Sequence, residues 1–141
     1  MSTTRVHESC VIKAPIEKIW TSVRNGQFTF WSSLKSAEVS GVEGQVGGTI
    51  TLTFKDDTVQ VVKILEISDY LHTLTYELVS SEPAISVMSA IHTIKLNKVT
   101  VDNSTFCEWI SDYSSDVNQS VIQDSLYKRR EAFADMASAL E

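Results

Sequence analysis

The spacing of apolar residues changes twice along the chain, and each change marks a different kind of predicted element. Val6–Lys13 alternates weakly and predicts a strand, and Pro15 is suited to the first turn of a following helix that ends at Asn25-Gly26. Helical spacing i, i+3, i+4 and i+7 is shown there by Ile16, Ile19, Trp20 and Val23. The aromatic-rich segment Gln27–Leu34 predicts a second short helix.

From residue 35 to residue 113 the pattern is that of β-strands. Runs rich in Thr, Val, Ile and aromatic residues recur about every ten residues, and turn-forming Asp, Asn, Gly, Pro and Ser separate them. The six predicted strands are Lys35–Val42, Gly48–Lys55, Val59–Ile67, Thr73–Val79, Val87–Lys98 and Thr105–Tyr113. Their short connections predict antiparallel pairing.

The C-terminal segment, Asp116–Leu140, contains neither proline nor glycine and predicts one long helix with Ser115 as its N-cap. Its predicted apolar face consists of Ile122, Leu126, Phe133, Met136, Ala137 and Leu140, with Tyr127 beside it. A helix of this length reaches roughly 37 Å and can cross a small sheet. The sequence therefore predicts one α+β domain over residues 1–141, with a curved antiparallel sheet of about seven strands around the C-terminal helix.

Charge and composition exclude several classes of function. Twelve Lys and Arg against eighteen Asp and Glu give a net charge of −6, which disfavours nucleic acid and anionic membrane surfaces. No apolar run approaches the ~18 residues of a membrane-spanning segment. The N-terminus lacks the apolar stretch of a secretory signal, and two cysteines make no disulfide framework. We therefore expect a cytoplasmic protein, either a monomer or a weak dimer.

Four short motifs recur in an order that resembles a known superfamily. They are Ala14-Pro15-x-Glu17-x-Ile19-Trp20, then Val46-Gly47-Gly48, then Leu65-Glu66-Ile67-Ser68-Asp69 before Leu74-Thr75-Tyr76-Glu77, and finally Thr105-Phe106-x-Glu108-Trp109. Their order and spacing over residues 4–140 resemble the START/Bet v 1-like superfamily (SRPBCC), which includes polyketide cyclase-like and lipid-transfer-like proteins. The resemblance implies a helix-grip fold with a hydrophobic cavity between sheet and long helix.

Alternation along the predicted strands selects the side chains that face this cavity. The predicted ligand-binding residues are Trp31, Phe54, Tyr76, Met88, His92, Trp109 and Tyr127. The family pattern also implies that Gln60, Val62, Ile64 and Glu66 point inward. The lysine and glutamate used by plant hormone receptors of the superfamily are replaced, approximately, by Trp31 and Cys107. A carboxylate hormone of that type is therefore not expected.

Three functions remain open at this point. The first is binding or transport of a small hydrophobic ligand, such as a lipid, sterol or polyketide, which suits a mostly apolar lining with a few polar groups. The second is a cyclase, isomerase or hydratase that uses His92 with Glu66 or a tyrosine. The third is a co-chaperone-like interaction module. The three histidines are too scattered for a metal site, no cofactor is expected, and the basic run Lys128-Arg129-Arg130 predicts a solvated helix surface.

Overall fold

A computed structural model describes residues 3–42, 44–85 and 89–141. Seven strands and two helices lie within these ranges. In chain order they are β1 (Thr3–Ile12), α1 (Ile16–Val23), β2 (Leu34–Ser40), β3 (Thr49–Phe54), β4 (Val59–Ser68), β5 (Thr73–Glu82), β6 (Ala90–Val99), β7 (Ser104–Ser114) and α2 (Gln119–Leu140).

The seven strands form one antiparallel sheet in the order β1-β7-β6-β5-β4-β3-β2. Strands β2 to β6 each pair with the next strand in sequence, as short connections require. Only β1 pairs out of sequence, with β7, so that α1 and the turns after it link the two edges of the sheet. The predicted α+β helix-grip architecture is confirmed.

The second short helix predicted over Gln27–Leu34 is absent, because the described residues between α1 and β2 form turns. Phe28 has a φ of +50°, which is incompatible with a right-handed helix. Backbone hydrogen bonds from Trp31 N to Phe28 O and from Leu34 N to Trp31 O, both 3.0 Å, close successive tight turns. The aromatic residues that suggested a helix are instead buried by these turns.

Helix α2 begins three residues later than the sequence predicts. Asn118, rather than Ser115, is the N-cap, with extended dihedral angles and a side-chain oxygen that accepts a hydrogen bond from Val121 N at 2.9 Å. The preceding residues form a turn in which Val117 N donates to Ser114 O at 3.1 Å. An amide side chain satisfies a free N–H of the first turn as well as serine does, so two candidate caps compete here.

The main core lies between the sheet, α1 and the C-terminal half of α2. Its centre is an aromatic core, defined here as Phe28, Trp31, Trp109 and Phe133, all buried. The ring centroids of Phe28 and Trp109 lie 5.5 Å apart, and those of Trp109 and Phe133 lie 6.0 Å apart. Such tilted and edge-to-face contacts bury large apolar surfaces without gaps.

Candidate functional site

A cavity of about 60 Å³ remains between the strands β3 to β7 and the N-terminal half of α2. Its apolar wall includes Trp31, Leu52, Phe54, Val62, Leu78 and Ala90, and its polar wall includes Gln60, Tyr76, His92, Tyr113, Ser125 and Arg129. A concave lining that combines apolar and aromatic side chains with convergent polar groups is typical of sites for small organic molecules.

An outer groove of about 400 Å³ adjoins this cavity. The groove lies between the ends of β4 and β5, the segment 83–85 and the first turns of α2, and both spaces share the lining residues Gln60, Ile85, Val121, Asp124 and Lys128. Asp124 Oδ2 and Lys128 Nζ form an ion pair of 3.1 Å at this junction. The cavity alone is smaller than the ~300 Å³ of a typical ligand site, so a ligand of ordinary size would occupy both spaces.

Arg129 is buried in the polar wall of the cavity, with only 7% of its surface exposed. Its Nη2 donates hydrogen bonds to His92 Nδ1 at 3.0 Å and to Ser111 Oγ at 3.2 Å. Its guanidinium carbon lies 4.3 Å from the centroid of the Trp109 ring, within the range of a cation–π contact. The prediction that this residue lies on a solvated surface is therefore wrong.

His92 is neutral in this setting. Burial in the first place, and the positive charge of Arg129 in the second, lower the pKa of His92 well below its usual value of 6.5. Because a guanidinium only donates, the contact with Arg129 makes Nδ1 an acceptor and assigns the ring proton to Nε2. Ser111 Oγ lies 2.7 Å from the same Nδ1. The Nε2–H group has no hydrogen-bond partner among the described residues.

Tyr76 and Trp109 are bonded to each other, and each contacts a polar group of this wall, His92 and Arg129 respectively. Trp109 Nε1 donates to the Tyr76 hydroxyl at 3.2 Å, and the ring centroids of Tyr76 and His92 lie 5.0 Å apart. Burial raises the pKa of Tyr76, although the charge of Arg129 opposes that rise. Tyr76 is therefore a neutral hydroxyl group at neutral pH.

Four of the predicted ligand-binding residues line the cavity: Trp31, Phe54, Tyr76 and His92. Trp109 is fully buried behind them, where it contacts Arg129 and Tyr76 rather than the open space. Met88 lies outside the described residues. That these side chains bind a ligand stays a prediction.

Tyr127 was predicted to line the cavity, and this is wrong because the residue is 68% exposed. The inward side of α2 consists of Ser125, Arg129, Ala132, Phe133 and Met136, which recur every three or four residues. Tyr127 lies two residues from both Ser125 and Arg129 and therefore points away from that side.

Glu66 was predicted to point inward, and this is also wrong because the residue is exposed. Val62 and Ile64 are buried as the family pattern implies, but a bulge follows: Ile64 pairs with Tyr76, whereas Glu66 pairs with Thr75. The extra residue at Leu65 reverses which side chains face the core. The proposed acid–base pair of His92 with Glu66 does not form.

Sequence reasoning missed Arg129 and Ser125, although a signal for both was present. Phe133 and Met136 were correctly predicted to face inward, and counting back from Phe133 in steps of four reaches Arg129 and then Ser125. The three basic residues at 128–130 were instead interpreted as a solvated surface, and the spacing of four residues from Phe133 was not used. Among the described residues the oxygen of Ser125 and Nε of Arg129 are buried without a hydrogen-bond partner.

Two further properties concern the described ranges 3–42, 44–85 and 89–141. They hold no group of three or more His, Cys, Asp or Glu side chains arranged to bind a metal ion. In the same ranges, neither helix is both long and apolar enough to cross a lipid bilayer.

Comparisons with known proteins give the fold but no closer relationship. Scanned against descriptions of known protein families and against curated proteins, the sequence matches none. A protein from Nitrosospira multiformis has a similar structure, with 23% identity, a TM-score of 0.83 and coverage of 98% of this chain and 97% of that one. Ara h 8.0201 follows at 16% identity and a TM-score of 0.80, also with 98% and 97% coverage.

The major latex-like protein 151 of Panax ginseng is similar over the same shares of the two chains, 98% and 97%, at 13% identity and a TM-score of 0.79. This protein and Ara h 8.0201 are members of the Bet v 1 superfamily. The chain thus has the Bet v 1-like helix-grip fold, and the resemblance in its motifs is confirmed at the level of the fold.

Proposed function

We propose that this protein binds a small, largely hydrophobic molecule in the cavity and the adjoining outer groove. The observation that carries the proposal is the space left between α2 and the sheet, walled by Trp31, Phe54 and Tyr76. Proteins fill their interiors closely, so an unfilled space with an opening is a candidate for a ligand. The Bet v 1-like fold of the similar structures supports the same reading.

The dimensions favour a compact ligand, or one that places its narrow end inside. The cavity measures about 60 Å³, whereas the groove measures about 400 Å³. A short aromatic or aliphatic group fits the inner space, and the remainder would lie in the groove. A large rigid molecule such as a sterol could enter only after the walls had moved apart.

Native mass spectrometry of the purified protein, followed by denaturing extraction, tests the proposal directly. We expect a stoichiometric small apolar molecule, or binding of one after its addition. Val62→Phe places an extra ring in the cavity and should reduce the bound fraction. Lys63→Phe adds the same ring at the next, exposed position of β4 and should leave binding unchanged. Equal occupancy in both variants would contradict the assignment of the site.

The structure excludes one of the other functions that the sequence left open and leaves the rest untested. An enzyme that uses His92 with Glu66 is not retained, because Glu66 lies on the outer face. An enzyme that uses His92 with a tyrosine, and a co-chaperone-like module, both stay predictions. The same holds for a cytoplasmic location and a monomeric or weakly dimeric state. Binding of a hydrophobic ligand is favoured because the space between α2 and the sheet is left unfilled and is walled in part by Trp31, Phe54 and Tyr76.

A further inference from the structure

Arg129 carries a buried positive charge without a carboxylate partner among the described residues. Nine-tenths of its surface is removed from solvent, and it lies on the wall of the cavity. A guanidinium has five N–H groups, and here only Nη2 donates to described residues, His92 and Ser111. Nη1 has no such partner, and Nε is buried without one. The guanidinium is thus held in a defined position, and N–H groups on Nη1 and Nε have no hydrogen-bond partner among the described residues.

The other charged groups around the cavity cancel each other. Asp124 and Lys128 both line it, and they form an ion pair with each other. His92 is neutral because burial and Arg129 disfavour its protonation. Among the described residues that line the cavity, what remains is the single positive charge of Arg129, in a chain whose net charge is −6. A buried charge that lacks a partner disfavours the empty folded state, and a bound anion would remove that penalty.

We infer that the ligand is a monoanion, an aromatic or aliphatic carboxylate, and that its carboxylate pairs with Arg129. The inference rests on the proposed function and specifies the chemical class of the ligand. Nη1 of Arg129 and Nε2–H of His92 are the donors without partners among the described residues, and both residues line the cavity. Charge-assisted hydrogen bonds to a carboxylate are among the strongest that proteins form. The apolar part of the ligand packs against Trp31, Phe54 and Tyr76.

This cation comes from α2, whereas hormone receptors of the superfamily place a lysine approximately at the position of Trp31, which lies in the turns before β2. A carboxylate ligand was therefore not expected from the sequence, because Trp31 carries no charge. Arg129 supplies a positive charge to the cavity from α2 instead. His92, Ser111 and Trp109 fix its guanidinium, so little side-chain freedom is lost when an anion binds.

The test compares pairs of ligands that have the same shape and differ in charge. Naphthalene-2-carboxylate is compared with naphthalene-2-carboxamide, and octanoate with octanamide, by calorimetric titration at neutral pH. One pair is rigid and the other flexible, so a single mismatch of shape does not decide the result. For at least one pair, we expect the carboxylate to bind about tenfold or more tightly than its amide.

Three variants assign the preference to one side chain. Arg129→Gln should abolish the preference for the anion, and Arg129→Lys should retain part of it because the charge remains. Arg130→Gln is the matched control: it removes the same charge from the next residue, which is exposed and paired with Glu8. We expect it to keep the full preference. Circular dichroism checks that each variant is folded.

The outcomes separate this inference from the proposed function. If amides and carboxylates bind wild-type protein equally, the inference is overturned while the hydrophobic site stands, and this comparison needs no variant. If Arg129→Gln is folded and keeps the preference, Arg129 is not the anchor and the inference is overturned. If no member of either pair binds, the inference is overturned, and native mass spectrometry of the purified protein decides the proposed function separately.

Discussion

The two halves of α2 face the same sheet but meet very different surroundings. The C-terminal half presents Ala132, Phe133 and Met136 to the aromatic core, where rings fill the space. The N-terminal half presents Ser125 and Arg129 to the cavity. One half of the helix therefore supplies stability through close packing, and the other leaves room and carries a buried charge.

This difference indicates that stability and the candidate binding site depend on different halves of α2. We call the aromatic core with the C-terminal half of α2 the closed end, and the cavity with the N-terminal half of α2 the open end. Packing at the closed end holds α2 against the sheet, so polar and unpaired groups can be tolerated at the open end. Buried polar groups without partners are unfavourable for stability, and they concentrate where a protein binds something. If the division is real, substitutions at the two ends should change stability in opposite directions.

The largest effect is expected at the closed end. Phe28→Ala removes a fully buried ring that contacts both Trp31 and Trp109, and it should lower the free energy of unfolding by about 3–5 kcal/mol. Urea denaturation followed by tryptophan fluorescence measures the loss. Phe30→Ala, two residues away and only half-buried, is the control and should lose clearly less. Equal losses would mean that the aromatic core is not the main source of stability.

A pH-dependent effect is expected at the open end. The unfolded His92 side chain takes up a proton near pH 6.5, whereas in the folded protein its lowered pKa keeps it neutral. Stability should therefore fall as the pH drops below 6.5, by up to about 1.4 kcal/mol per pH unit, until the folded pKa is reached. Denaturation of wild type and His92→Gln between pH 7.5 and 5.5 measures the difference.

His7 provides the comparison for that experiment, because it is exposed at the outer surface. His7→Gln should keep the acid-side loss of stability that His92→Gln removes. A loss of the same size in all three proteins would show that His92 is not protected from protonation.

At Arg129 we expect a smaller change in stability, and a gain instead of the losses described above. Arg129→Met replaces the buried cation with an apolar side chain, while His92 and Ser111 still bond to each other. We expect the free energy of unfolding to rise by about 1 kcal/mol, measured without ligand. Arg130→Met, on the exposed side of α2, should change it by less than about 0.5 kcal/mol. A large loss in Arg129→Met would show that the arginine is a structural element of the core.

The smallest effect is expected at Ser125. Its hydroxyl is buried without a hydrogen-bond partner among the described residues, so Ser125→Ala removes an unfavourable group and improves helix propensity. A gain of about 0.5 kcal/mol should be detectable by thermal denaturation. A loss in this variant would indicate that the hydroxyl is satisfied in solution, for example by water.

Most of the fold was predictable because its signals are local. Alternation correctly selected Phe54 on β3, Tyr76 on β5 and His92 on β6 as buried residues. Such patterns depend only on the period of the strand. The prediction failed where local signals competed, as for the turns at Phe28 and the N-cap of α2.

The candidate site was only partly predictable. The inward positions of His92 and Tyr76 followed from strand alternation. The family pattern also implied an inward Glu66, which is wrong because the bulge near Leu65 depends on how β4 pairs with β5. Arg129 was missed because a basic run is usually solvated, and only the docking of α2 against the sheet decides which of its residues is buried.

Local patterns in the sequence were enough for the fold class: the seven strands, the helices α1 and α2, the apolar side of strands such as β3 and β6, and the motifs that resemble the helix-grip fold. These follow from periodicity and turn chemistry, which act over a few residues. Tertiary structure alone decided that Arg129 meets His92 and Ser111 beside an unfilled space. These contacts are between residues far apart in the chain, and they depend on the rotation of α2 about its own axis. Close packing of Phe133 and Met136 fixes that rotation.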